Sequence, residues 1–86
     1  MAFRVLWHEK ALDDLKSLDR QTARKIIDRV KNHLSQSPEN LGKPLQGVLK
    51  GLYRYRLGDY RIIYTIDRGE NLTSILHIGH RKNIYK

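Results

Sequence analysis

The spacing of apolar positions changes twice along the chain. Phe3, Val5 and Trp7 recur at period two, which predicts a strand over residues 3–7. From His8 the spacing becomes helical. Ala11, Leu12, Leu15 and Leu18 form one stripe, and Ala23, Ile26, Ile27, Val30 and Leu34 form a second. Asp19 between them is suited to cap the second helix, and the connection is too short for anything but a helical hairpin. Glu9, Asp13 and Asp14 are placed in the first turns of the first helix, where its dipole favours carboxylates. Pro38 disfavours helical geometry at Ser37, so the second helix should end by that point.

Residues 39–51, with Gly42, Pro44 and Gly47, read as a loop without chemistry of its own. Period two then returns on both sides of Gly58-Asp59 in LYRYRLGDYRIIYTI, residues 52–66. With those two residues as the loop, Leu57 pairs with Tyr60, Tyr55 with Ile62 and Arg56 with Arg61. A second turn over residues 67–71 leads to a last strand from Leu72 to about His80. A three-residue loop of Arg68 to Glu70 would set Ile62 against Leu76, Tyr60 against Ile78, Ile66 against Leu72 and Arg61 against His77. The expected fold is a single α+β domain over residues 1–86: an N-terminal strand, a helical hairpin, then a three-stranded antiparallel meander with the helices packed on one sheet face.

The two faces of that meander differ in kind. Tyr53, Tyr55, Leu57, Tyr60, Ile62, Tyr64 and Ile66 make an apolar stripe for the helices to cover. The other face sets Arg56 opposite Arg61 with Arg54 two residues away, an arrangement that costs about 0.2–1 kcal/mol for like charges across a ladder. Stability offers no reason for it. Continuing at period two from His77, Gly79 and Arg81 fall on the same side, so Arg54, Arg56, Arg61, Arg81 and His77 converge. His80 has the opposite parity. A solvated outer face is the plain alternative, but the charge balance favours a polyanionic partner. The chain carries a formal net charge of +8, of which residues 43–86 hold nine Lys/Arg against three Asp/Glu.

Other chemistries are disfavoured. The 86-residue chain has no cysteine, so disulfides and cysteine zinc sites are excluded. No apolar run approaches the roughly 18 residues of a membrane span, and the N-terminus lacks a signal-peptide core, so a soluble cytoplasmic protein without membrane association is expected. His77-x-x-His80 is not a metal pair, because strand geometry sends the two rings to opposite faces with no acidic residue or cysteine nearby in sequence. His8 and His33 look helical and incidental. No cofactor or metal is expected.

Arg54-Tyr55-Arg56-Leu57, Gly58-Asp59-Tyr60-Arg61-Ile62-Ile63-Tyr64 and His77-Ile78-Gly79-His80-Arg81-Lys82-Asn83-Ile84-Tyr85 resemble the RelE branch of the RelE/ParE superfamily, the toxins of bacterial and archaeal toxin–antitoxin pairs. The resemblance covers almost the whole chain. It implies a RelE-like fold and a metal-independent endoribonuclease that cleaves mRNA in the ribosomal A site and is silenced by a RelB-like antitoxin. The 2′-hydroxyl before the break would attack the adjacent phosphate and expel the next 5′-oxygen. By position, Arg54 and Arg56 stand where the family often has two basic residues. Arg61 would clamp the scissile phosphate, Arg81 would stabilise charge or protonate the leaving group, and Tyr85 would stack on the attacked nucleotide. Family members often carry lysines at the first two positions, and a lysine can act as a base where an arginine cannot. That leaves Tyr85, His77 or His80 as candidate acid/base groups. Two other readings stay open: a ParE-like DNA gyrase inhibitor of the same fold, and a non-catalytic basic nucleic-acid-binding module.

Overall fold

A computed structural model describes residues 2–82. Two faces of secondary structure enclose one core. Strand β1 (Arg4–Trp7) leads into helix α1 (Glu9–Lys16) and helix α2 (Arg20–Asn32). After a 3-10 turn at Leu34–Gln36 come a short helix α3 (Pro38–Leu41) and a two-residue strand β2 (Lys43–Pro44). The meander β3 (Tyr53–Leu57), β4 (Tyr60–Asp67) and β5 (Leu72–His80) follows. The sheet has five strands in the order β1-β5-β4-β3-β2. β1 runs parallel to β5, with Val5 opposite Thr73 and Trp7 opposite Ile75, because the helical hairpin between them carries the chain across one face.

The helices form where the apolar spacing placed them. Asp19 caps α2 by accepting a hydrogen bond from the Thr22 N–H at 3.1 Å, and this bond to Thr22 holds its carboxyl below the usual aspartate range. Ala11 and Leu15 of α1 and Ile26 and Val30 of α2 are buried against Tyr55, Ile62, Tyr64, Ile75 and Ile78 of the sheet. Leu34 is fully buried in the same cluster, although it lies in the 3-10 turn rather than in α2. Leu12, expected on the buried stripe, is 44 % exposed. An eight-residue helix lying on the sheet buries only a narrow stripe, and Ala11 and Leu15 occupy it. Phe3 precedes β1 and is tied by its N–H to the Ser35 carbonyl.

The loop expected between residues 39 and 51 is partly ordered. Pro38 opens α3, where its missing N–H costs nothing, and β2 adds an edge pair, Lys43 to Arg54 and Pro44 to Tyr53. Gly42 has an extended backbone that any residue adopts, so its requirement is space. A Cβ there would collide with the Tyr64 hydroxyl and come within 3.0 Å of the Arg54 carbonyl. Tyr64 is fully buried and donates that hydroxyl to the Pro38 carbonyl at 2.6 Å. Burial, reinforced by Tyr53 and Tyr55 close by, pushes its ionisation far up, so it stays a donor.

The β3–β4 register is as read from the sequence: Arg56 opposite Arg61, Tyr55 opposite Ile62, Leu57 opposite Tyr60. Gly58 has φ 59°, and Asp59 is not among the positive-φ residues, the pattern of a type II′ turn. The β4–β5 register corrects the expectation. Asp67 pairs with Leu72, so the loop holds four residues, with Asn71 left-handed at φ 50° and the Asp67 carboxylate accepting the Glu70 N–H. That extra residue turns Thr73 and Ile75 inward, both fully buried, in place of Leu72, Ser74 and Leu76. A bulge in β5 then shifts the ladder again, because Leu76 is an extra residue opposite the step from Ile63 to Tyr64 in β4. Beyond it Ile62 faces Ile78 rather than Leu76, Tyr60 faces His80 rather than Ile78, and Arg61 faces Gly79 rather than His77. Ile66 faces Thr73 rather than Leu72. Two shifts restore the parity, so His77, Gly79 and His80 occupy the faces expected of them.

Candidate functional site

Residues opposite one another in a ladder point to the same side of the sheet. The chain of partners Arg54–Ile63–His77 and Arg56–Arg61–Gly79 therefore puts Arg54, Arg56, Arg61 and His77 on the sheet face opposite the core row of Tyr55, Ile62 and Ile78. Arg81 lies just past β5 and extends the same row, its N–H donating to the Asp59 carbonyl at 2.7 Å. The arginines thus come from three neighbouring strands or their ends, at a spacing set by the sheet itself.

The Gly58-Asp59 turn organises two of them. The Arg61 guanidinium donates to the Gly58 and Tyr60 carbonyls, both at 3.1 Å. Arg81 Nε lies 3.8 Å from Asp59 Oδ1, and both side chains are more than half exposed. An exposed ion pair of that length contributes about 0–1 kcal/mol, so a phosphate can compete for Arg81 at little cost. Ile63 lies between Arg54 and His77 on this cationic side and is only 6 % exposed, yet it stands outside the main core cluster. It is a buried apolar residue in the ladder between two basic side chains.

His77 has a second partner that its strand position does not reveal. Its Nδ1 lies 2.6 Å from Asp14 Oδ2, which also accepts the Ile78 N–H at 2.9 Å, while Lys10 reaches Asp14 Oδ1 at 2.9 Å. Asp14 belongs to the last turn of α1, not the first turns assigned to it from sequence, and α1 carries only Glu9 as an acidic first-turn residue. Partial burial alone would raise its carboxyl; the hydrogen bonds from Ile78, Lys10 and His77 outweigh that and hold it below the usual aspartate value. His80 is turned to the other side, its ring edge-on to Tyr60 at 5.7 Å. His33 is not incidental: it ends α2 and its Nδ1 is 2.6 Å from the Tyr55 hydroxyl. Tyr85 lies outside the described residues. Asp14 was missed because its contact with His77 spans 63 residues of chain and leaves no local signal; Ile63 shares the parity of Arg61 and could have been placed on this face from sequence, but its pairing with His77 depends on the β5 bulge.

A five-stranded sheet backed by two helices is the fold of a small toxin class, as the comparisons with known proteins show. The family model described as the ParE toxin of type II toxin–antitoxin system, parDE, matches residues 5–85. The chain is 40 % identical over 76 residues to Toxin RelE of Mycobacterium tuberculosis, covering 88 % of this chain and 78 % of that one. It is 33 % identical over 86 residues to Toxin RelG of the same organism, covering 100 % and 99 %. Its fold superposes with a TM-score of 0.90 and 31 % identity on a chain of the toxin–antitoxin complex RelBE2 from Mycobacterium tuberculosis, covering 94 % of this chain and 100 % of that one. The chain belongs to the RelE/ParE family of type II toxin–antitoxin toxins, on its RelE branch.

Proposed function

We propose that this toxin is a metal-independent endoribonuclease that cuts mRNA in the ribosomal A site and so blocks translation. The observation that carries the reading is the like-charged pair Arg56–Arg61, with Arg54 and Arg81 on the same face. A sheet that tolerates such repulsion is arranged for a ligand that relieves it, and the phosphodiester backbone of RNA is that ligand. Guanidinium forks suit a phosphate passing through a transition state with extra negative charge. In this scheme the 2′-oxygen attacks the neighbouring phosphorus, the bond to the 5′-oxygen breaks, and the products end in a 2′,3′-cyclic phosphate and a 5′-hydroxyl. Arg61 clamps the phosphate, Arg81 stabilises the departing oxygen, Arg54 and Arg56 gather the strand, and Tyr85 stacks on the attacked nucleotide.

The partner in the cell is a RelB-type antitoxin, in keeping with the RelBE2 complex whose chain this one resembles. An acidic, partly apolar antitoxin segment complements the basic face. The ParE description of the matching family supports a second reading, a gyrase inhibitor without nuclease chemistry. Induced expression separates the two. The nuclease reading expects arrested translation with mRNAs cut inside codons held by ribosomes; DNA breaks and an SOS response with intact mRNA would establish the other.

A further inference from the structure

The Asp14–His77 contact has the form of an acid/base device. Asp14 is a carboxylate in the last turn of a helix, where the dipole works against it, and its side chain is only 12 % exposed. It is held there by His77, Ile78 and Lys10. A carboxylate only accepts hydrogen bonds, so the proton of their 2.6 Å bond sits on His77 Nδ1, and a neutral His77 presents its lone pair on Nε2. No described residue bonds Nε2, and the side chain is 30 % exposed. In register His77 faces Ile63, two positions along the ladder from the pair Arg61–Gly79 and on the same face. Asp14 meets it directly, Lys10 pairs with Asp14, and Arg54, Arg56, Arg61 and Arg81 lie on the same side of the sheet.

We propose that His77 is the general base of RNA cleavage and that Asp14 is its positioning residue, fixing the tautomer and aiming Nε2 at the cationic face. The proposal rests on the nuclease reading and supplies the proton acceptor that arginines cannot. His77 Nε2 takes the proton of the 2′-hydroxyl as the 2′-oxygen bonds to phosphorus. The P–O5′ bond breaks, the 5′-oxygen takes a proton from water, and the imidazolium returns its proton to solvent. Asp14 offsets the positive charge on the ring while it holds that proton.

The test compares the full-length protein with His77→Gln, His77→Ala and Asp14→Asn on ribosomes programmed with a defined mRNA, measuring single-turnover cleavage against pH. Circular dichroism confirms folding of each variant; Asp14→Asn keeps an oxygen to accept the Ile78 N–H. The expected result is a rate that rises with pH in the unmodified protein, a loss of about 100-fold or more with disappearance of that rise in His77→Gln, and a smaller loss in Asp14→Asn. Added imidazole should restore cleavage to His77→Ala, which a merely structural role would not allow. Unmodified protein that cuts while folded His77→Gln cuts equally fast, with the same pH profile, overturns this proposal alone. Unmodified protein that cuts nothing overturns the nuclease reading and this proposal with it.

Discussion

Arg56 shows at the scale of one residue how function and stability diverge. It is exposed and faces Arg61 across the ladder, so removing its charge should relieve repulsion. Arg56→Gln is expected to raise unfolding stability by about 0.2–1 kcal/mol in a denaturant titration while weakening toxicity in an expression assay. A variant both less stable and fully toxic would show that the pair is ordinary surface. Asp14 gives a second residue-scale prediction. Its carboxyl is held below the ordinary value when folded, so the stability it contributes is present above the unfolded pKa and is lost as pH falls through the folded one. The melting temperature of Asp14→Asn should therefore converge on that of the unmodified protein in acid and fall below it at neutral pH. The basic residues of the open face were readable because strand parity alone places them. The partner of His77 was not, because a bond across 63 residues leaves no local trace.

At the scale of elements, the β5 ladder decides which substitutions the sheet tolerates. Ile62 is fully buried in the core, whereas Leu76 sits at the bulge and is only partly buried. Ile62→Asp should unfold the domain, a loss above about 4 kcal/mol, while Leu76→Asp should leave a cooperative thermal transition. Gly42→Ala drives a methyl into the Tyr64 hydroxyl and the Arg54 backbone. Its expected cost is about 1–3 kcal/mol by chemical denaturation. Helices, hairpin and strand ends were legible because each carries its own periodicity or turn residues. The loop length after Asp67 and the compensating bulge were not: Leu72, Ser74 and Leu76 alternate as plausibly as Thr73 and Ile75, and the choice shows only in the folded sheet, where Thr73 and Ile75 pair beside Val5 and Trp7 and Ile75 joins the core. β2 was invisible for a related reason, since two residues containing a proline make no pattern.

Taken as a whole, the molecule separates its two tasks by side. One side of the sheet is closed by α1 and α2 around a core of aromatic and aliphatic residues, and the other carries arginines over a buried Ile63. Among the described residues no helix is long and apolar enough to cross a membrane. The net charge of +8 is concentrated in the sheet half, where an RNA strand would find it. The measurement that tests this account most directly is to add the purified toxin to a ribosome holding mRNA in its A site and map both ends of each break with their phosphates. The account predicts cuts within the A-site codon, each leaving a 2′,3′-cyclic phosphate or its 3′-phosphate product and a 5′-hydroxyl. Uncut mRNA, or breaks that leave a 5′-phosphate, would contradict it.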